Sequence, residues 1–183
     1  MILPIVQYGM PVLRRKGSNI GKITAEIREL AGNMLETMIA AEGVGLAAQQ
    51  VGHSLQLAVI NIPPDIERPS RMWVDGKEVD LQAHMPLILI NPKIEMTKKK
   101  EVGMEGCLSF PGINADISRG YRVKVQAQNL EGVVYKFEAA GLLGRAVQHE
   151  VDHLNGVLFI DRMYPKDREA LKVEIEAVKV AAE

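Results

Sequence analysis

Three residues of one short run, His149-Glu150-Val151-Asp152-His153, have the types and spacing for metal chemistry. Residues i and i+4 of a helix project from one face, so two imidazoles can take adjacent vertices of a metal tetrahedron. A glutamate one step round the helix can reach a water held there. Leu142, Ala146, His149 and His153 follow at helical spacing, so the histidines share a face with apolar residues, and buried imidazoles need partners. A hydrolytic ion of this type needs a third protein ligand. The metzincin position holds Phe159 rather than histidine, which leaves two candidates. Glu174 lies in the range where a gluzincin places its glutamate. Cys107, the single cysteine, offers a thiolate within Glu105-Gly106-Cys107-Leu108-Ser109, where glycine lets the backbone approach closely. Beside two histidines, the thiolate is the favoured reading.

A third segment, Gly43-Val44-Gly45-Leu46-Ala47-Ala48-Gln49-Gln50, is too rich in small residues for a core strand and lacks the lysine of a phosphate loop. Its small side chains would let a ligand lie against backbone, with Gln50 as an amide donor.

The elements that must position these groups follow from hydrophobic period. Ile23, Ile27, Leu30, Met34 and Met38 form one face of a helix over 23–41, which stops at Gly43. Leu57–Ile62 and Leu87–Ile90 are short β-prone runs bounded by prolines. Residues 62–86 read as a surface insertion or a lid, with Asp75-Gly76 as a hairpin turn. Tyr121–Gln128 alternates, and with Val133–Phe137 it forms a hairpin. Leu142–Leu154 is a buried helix closed by Asn155-Gly156, and Lys166–Ala182 is a last helix. Helices at both ends around several strands give an α+β class, read as one catalytic domain over 1–183.

Composition sets the outer bounds. The chain has 183 residues, 22 Lys+Arg against 23 Asp+Glu, and 47% hydrophobic residues, which excludes a disordered chain and a polyanion-binding surface over the whole protein. A lone thiol makes an intramolecular disulfide impossible and fits a reducing compartment. The apolar Met1–Val6 precedes the basic cluster Arg14-Arg15-Lys16, the reverse of an export signal. No apolar run approaches the roughly 18 residues of a membrane span, so a cytoplasmic location is expected.

Taken together, Gly43–Gln50, Glu105–Ser109 and Gln148–His153 resemble the three motifs of the peptide deformylases, in that family's order and with similar spacing. The similarity runs from Pro11-Val12-Leu13-Arg14 through Gly156-Val157-Leu158-Phe159-Ile160-Asp161-Arg162. The resemblance implies antiparallel or mixed sheets around a central helix that carries the histidine motif, and removal of the formyl group from N-formylmethionyl nascent polypeptides, with release of formate. It implies Cys107, His149 and His153 as ligands of one divalent ion, Fe(II) in the cell, with Zn(II), Ni(II) or Co(II) as other forms. A water on that ion would be the nucleophile and Glu150 the general base and then acid. The Gln50 side chain and the Leu108 backbone N–H would stabilise the oxyanion.

By the same resemblance, the peptide lies along Val44 and Gly45, and Val44, Leu142 and the ring of His149 form the methionine pocket. Arg145 departs from an aliphatic wall residue, and is expected to reach the rim or meet a peptide carboxylate. Glu105 and Arg119 would pair ionically, and Asp152 would orient a ligand. Gln49 replaces a proline, which should loosen the first motif. The last helix raises transient ribosome association as a partner. From Lys166 onward, however, its four basic residues face five acids, which gives weak attraction for RNA. No direct nucleic-acid-binding motif and no membrane segment is found.

Overall fold

Thr24 opens the first helix, α1 (Ala25–Ala40), by accepting the Ile27 N–H on its side-chain oxygen at 3.4 Å. The expected stripe then buries Leu30, Met34 and Met38 against β1 (Gly45–Ala47) and β2 (Leu57–Ile60), in a cluster with Leu46, Leu57 and Val59. The computed structural model describes residues 1–64 and 66–180.

All named strand pairs are antiparallel. Seven strands form one sheet in the order β1, β2, β5 (Leu87–Met96), β8 (Arg122–Gln128), β9 (Val134–Ala140), β3 (Ser70–Val74), β4 (Lys77–Val79). A separate hairpin pairs β6 (Lys100–Cys107) with β7 (Phe110–Gly120). The alternation read in β8 is real: Val123, Val125 and Ala127 are buried, and Phe137 and Ala139 of β9 join them on the same face.

Three expectations need correction. β5 continues past Asn91-Pro92, because Asn91 takes a left-handed conformation (φ 50°) and the register with β8 shifts between Ile90 and Lys93. A bulge there absorbs the proline that the sequence suggested as a stop. Residues 62–86 are more than a surface insertion. They supply β3 and β4, joined at Asp75-Gly76, and Met72 is buried in the main core. The last helix is two short ones, α3 (Pro165–Ala170) and α4 (Lys172–Ala177), rather than one over 166–182. The break at Leu171 lets Ile175 bury beside Phe110 and Ile117, and the chain then leaves helix so that the Val180 N–H reaches the Tyr8 carbonyl at 2.7 Å. The end of that expected helix, 181–183, lies outside the described residues.

The remaining helix, α2 (Gly141–Leu154), lies between the main sheet and the β6–β7 hairpin. Leu143 and Val147 are fully buried on its sheet side. Its opening residue needs to be glycine: φ is +68°, and a Cβ would stand 2.1 Å from the Pro69 carbonyl oxygen. At the other end, Gly156 has φ +73°, and the N–H groups of Gly156 and Val157 return to the carbonyls of His153 and Asp152, as the Asn155-Gly156 pair suggested.

Candidate metal centre

Helix α2 carries His149 and His153 on one face, and β6 ends at Cys107 beside them. One donor atom from each of the three lies within 4.8 Å of the others, and Cys107 Sγ is 3.3 Å from His153 Nε2. An ion bound tetrahedrally at ordinary Zn–N and Zn–S lengths separates such donors by about 3.4–3.6 Å, so the cluster has the size of a single site. Two buried polar atoms here have no protein partner among the described residues, His153 Nδ1 and Glu150 Oε2. Glu174 is exposed on α4 and stands outside the cluster, so the gluzincin arrangement is not formed.

The chemistry of the ligands is set by what surrounds them. Glu105 Oε1 is 2.9 Å from His149 Nδ1. A carboxylate only accepts, so Nδ1 carries the proton and Nε2 is left as the donor to an ion. Arg119 grips the same carboxylate with two 2.9 Å bonds, and Arg145 adds a third at 2.8 Å. Burial pushes the Glu105 carboxyl up, but the hydrogen bonds from Arg119 and His149 outweigh it and hold the group well below the usual carboxylate range. At His153, burial and the neighbouring His149 hold the pKa well below its ordinary value, which favours the neutral imidazole that ligates. At His149, burial again opposes charge, but the Cys107 sulfur and Glu105 outweigh it and raise the pKa. The same negative surroundings favour a cation at Nε2. The residues present therefore fit a divalent ion.

Glu150 is 4% exposed, and burial pushes its carboxyl up to about 7. It lies against the main chain of β1: a Cβ on Gly45 would be 2.4 Å from Glu150 Oε1. Gln50 follows β1 in the 3-10 turn Ala48–Val51. Its Oε1 accepts the Ala47 N–H at 3.0 Å, which turns the amide nitrogen toward Cys107 Sγ at 3.5 Å and Ser109 Oγ at 3.3 Å. Gly45, Gln50, Cys107, His149 and Glu150 line a cleft of about 450 Å³. The structure thus brings together Gln50, Cys107, His149, His153 and Glu150; Val44, Gly45, Leu108 and Leu142 also line the cleft.

Other expectations fare differently. Glu105 and Arg119 do pair, both buried. Arg145 lines the cleft, but its guanidinium neither reaches a rim nor is free for a peptide carboxylate: it is 6% exposed and bonded to Glu105, Glu101 and Ile117. Asp152 touches no ligand and instead holds Arg119 at 2.5 Å and Arg162 at 2.8 Å. Gln49, which stands where a proline was expected, is packed inside its loop. It is fully buried, and its amide donates to the carbonyls of Arg15 and Leu154 at 3.4 Å. Sequence reasoning included Ser109, Arg162 and Gln148 in the resembling segments but gave them no role; the Gln148 side chain clamps both main-chain groups of Gly120.

A Cys/His/His donor set, half-buried at the cysteine and buried at His153, beside a carboxylate and a cleft on an α+β scaffold, has the make-up of a metalloenzyme centre. The family model for polypeptide deformylases matches residues 2–169, and the chain belongs to that family. It is 48% identical over 179 residues to a peptide deformylase of Methylacidiphilum infernorum, covering 98% of this chain and 94% of that one. The crystal structure of peptide deformylase from Ehrlichia chaffeensis superposes with a TM-score of 0.84 at 36% identity, covering 97% of this chain and 95% of that chain. The Thermotoga maritima peptide deformylase gives 0.77 at 38% identity, covering 90% and 99%. Members of the family are metal-dependent enzymes that remove N-formyl groups from nascent peptides. Among the described residues, no helix is long and apolar enough to cross a membrane.

Proposed function

We propose that this chain hydrolyses the formyl amide of N-formylmethionyl peptides, with Cys107, His149 and His153 holding one divalent ion and Glu150 moving the proton. The observation that carries this reading is the seat of Glu150, buried against Gly45 with one oxygen unpartnered, next to the Cys/His/His donors in an open cleft. When bound, the ion supplies Lewis acidity, which makes a water a nucleophile near neutral pH and polarises the formyl oxygen. Fe(II) is the proposed ion in the cell, with Zn(II), Ni(II) or Co(II) able to take the same donors.

The chain's own residues do the rest. Glu150 accepts the water's proton on its carboxylate and delivers it to the amine nitrogen as the C–N bond breaks, leaving formate and a free amino terminus. The Gln50 amide and the Leu108 backbone N–H donate to the oxyanion that forms on the formyl carbon. β1 is an edge strand of the main sheet, so an extended peptide can run along Val44 and Gly45. Leu142 and the His149 ring face the methionine side chain.

The test is formate release from formyl-Met-Ala-Ser by protein prepared without oxygen and loaded separately with Fe(II), Ni(II) and Zn(II). Turnover should fall by roughly 10²–10⁴-fold in Glu150→Ala while one ion per chain remains bound. No formate from any loaded form of the parent would sink the proposal.

A further inference from the structure

Arg145 sits four residues before His149 on α2, and its guanidinium crosses to the neighbouring hairpin. Nη1 donates to Glu105 Oε2 and to the Ile117 carbonyl, both at 2.8 Å, and Nη2 donates to the Glu101 carbonyl at 3.1 Å. Glu101 and Glu105 lie on β6 and Ile117 on β7, the hairpin that carries Cys107. One side chain thus cross-links the helix bearing two metal donors to the hairpin bearing the third. It also binds the carboxylate whose other oxygen holds His149 Nδ1.

Room for this cross-link is built into the hairpin. A Cβ at Gly103 would lie 2.9–3.0 Å from three guanidinium atoms of Arg145, so the glycine is what lets the group lie flat on β6. Neutralising Glu105 does not by itself require Arg145, because Arg119 already forks onto that carboxylate. What Arg145 adds is the attachment to main chain on both strands. His149 on Glu105, Gln148 on Gly120 and Asp152 on Arg119 also tie α2 to this hairpin. Among the described residues Arg145 alone adds side-chain bonds from α2 to the Glu101 and Ile117 carbonyls, and losing them loosens the strand that ends at Cys107 against His149 and His153.

We propose that Arg145 is a positioning residue that sets how tightly the centre retains its divalent ion. The inference rests on the Cys/His/His ligand set of the proposed function. It also explains why a cationic side chain occupies the wall of a cleft meant for an apolar one: the charge is turned away from the cleft and spent on holding the site together.

The test is the rate at which Zn(II) leaves the loaded protein into excess chelator. Parent is compared with Arg145→Met, which keeps the apolar stem, Arg145→Lys, which keeps the charge without the planar fork, and Gly103→Ala, which displaces an intact arginine. Release should be roughly 10–100-fold faster in Arg145→Met and Gly103→Ala, with Arg145→Lys between them and parent. Activity lost on dilution should return when ion is added. Should Arg145→Met fail to fold, Gly103→Ala and Arg145→Lys carry the comparison. Parental release rates in the folded variants, or a defect confined to KM, would overturn the assignment and make Arg145 a wall residue only. A parent that holds no ion, or releases no formate, condemns the proposed function instead.

Discussion

Gly45 and Glu150 show how narrow the tolerances are at the scale of single residues. No side chain fits at 45, because a methyl group would occupy the space of Glu150 Oε1. In Gly45→Ala the carboxylate must swing away, and a displacement near 1 Å at a reacting group can cost on the order of 10²-fold. We expect kcat/KM for formyl-Met-Ala-Ser to fall by about that factor with the circular dichroism spectrum and metal content unchanged; parental activity would mean that Glu150 works from another position. Gln50→Leu should lower kcat by roughly 10²–10³-fold, the usual cost of removing an oxyanion donor, with ion still bound. A larger effect on metal content than on kcat would instead make Gln50 a brace for Cys107, whose sulfur its amide faces. The two histidines were legible in the sequence because i, i+4 spacing is a local rule. The partners of Arg145 were not. Its acceptors at 101, 105 and 117 are brought to it only by the folding of a distant hairpin, so neither the spacing nor the apolar neighbours of Arg145 reveal them.

At the scale of elements, helix α2 depends on a strand that the sequence presented as part of an insertion. Ala140, the residue before α2, offers no side-chain oxygen to the helix's first N–H groups. Ser70 of β3 supplies it from outside: its hydroxyl accepts the Leu143 N–H at 3.0 Å, and the adjacent Pro69 carbonyl accepts that of Leu142 at 2.9 Å. Ser70→Ala should therefore cost about 0.5–2 kcal/mol of stability, a helix-cap penalty paid by a residue far from the helix in sequence. Urea unfolding monitored by far-ultraviolet circular dichroism measures it, and an unchanged midpoint would show that water replaces the hydroxyl without loss. Helices α1 and α2 and the β8–β9 hairpin were readable because their apolar periods are uninterrupted. β6 and β7 are not legible in the sequence although Ile113, Ala115 and Ile117 alternate, because the glycines and charges around them mask the period and β6 is largely exposed. β3 and β4 were hidden by the polar, proline-rich stretch that contains them.

Contacts between its ends tie the whole molecule together, and one of them gives a pH signature carried by a carboxylate outside the Cys/His/His cluster. Asp161 follows the central helix and pairs with Arg14 near the amino terminus, in a bidentate contact whose second bond is 3.1 Å. Arg168 lies 3.7 Å away, and the Leu158 N–H donates to Asp161 Oδ2 at 2.9 Å. Burial raises the Asp161 carboxyl, but the Arg14 hydrogen bond and the Leu158 N–H outweigh it, so its pKa in the folded protein is depressed. A depressed carboxyl pKa means that the unfolded chain binds this proton more readily. The stabilisation is thus complete above the unfolded value near 3.9 and is lost as pH falls through the lower folded value. Asp161→Asn keeps an acceptor for Leu158 and removes the charge. The stability gap between parent and variant, measured by urea unfolding at matched metal content, should be constant from pH 7 down to about 5 and then close as the pH drops further. A gap that persists into strong acid would assign the loss to packing or to hydrogen-bond geometry. A gap that closes near neutral pH would assign it to a histidine. Only the predicted shape makes the charge of Asp161 the clasp between the amino-terminal segment and the chain that leaves α2.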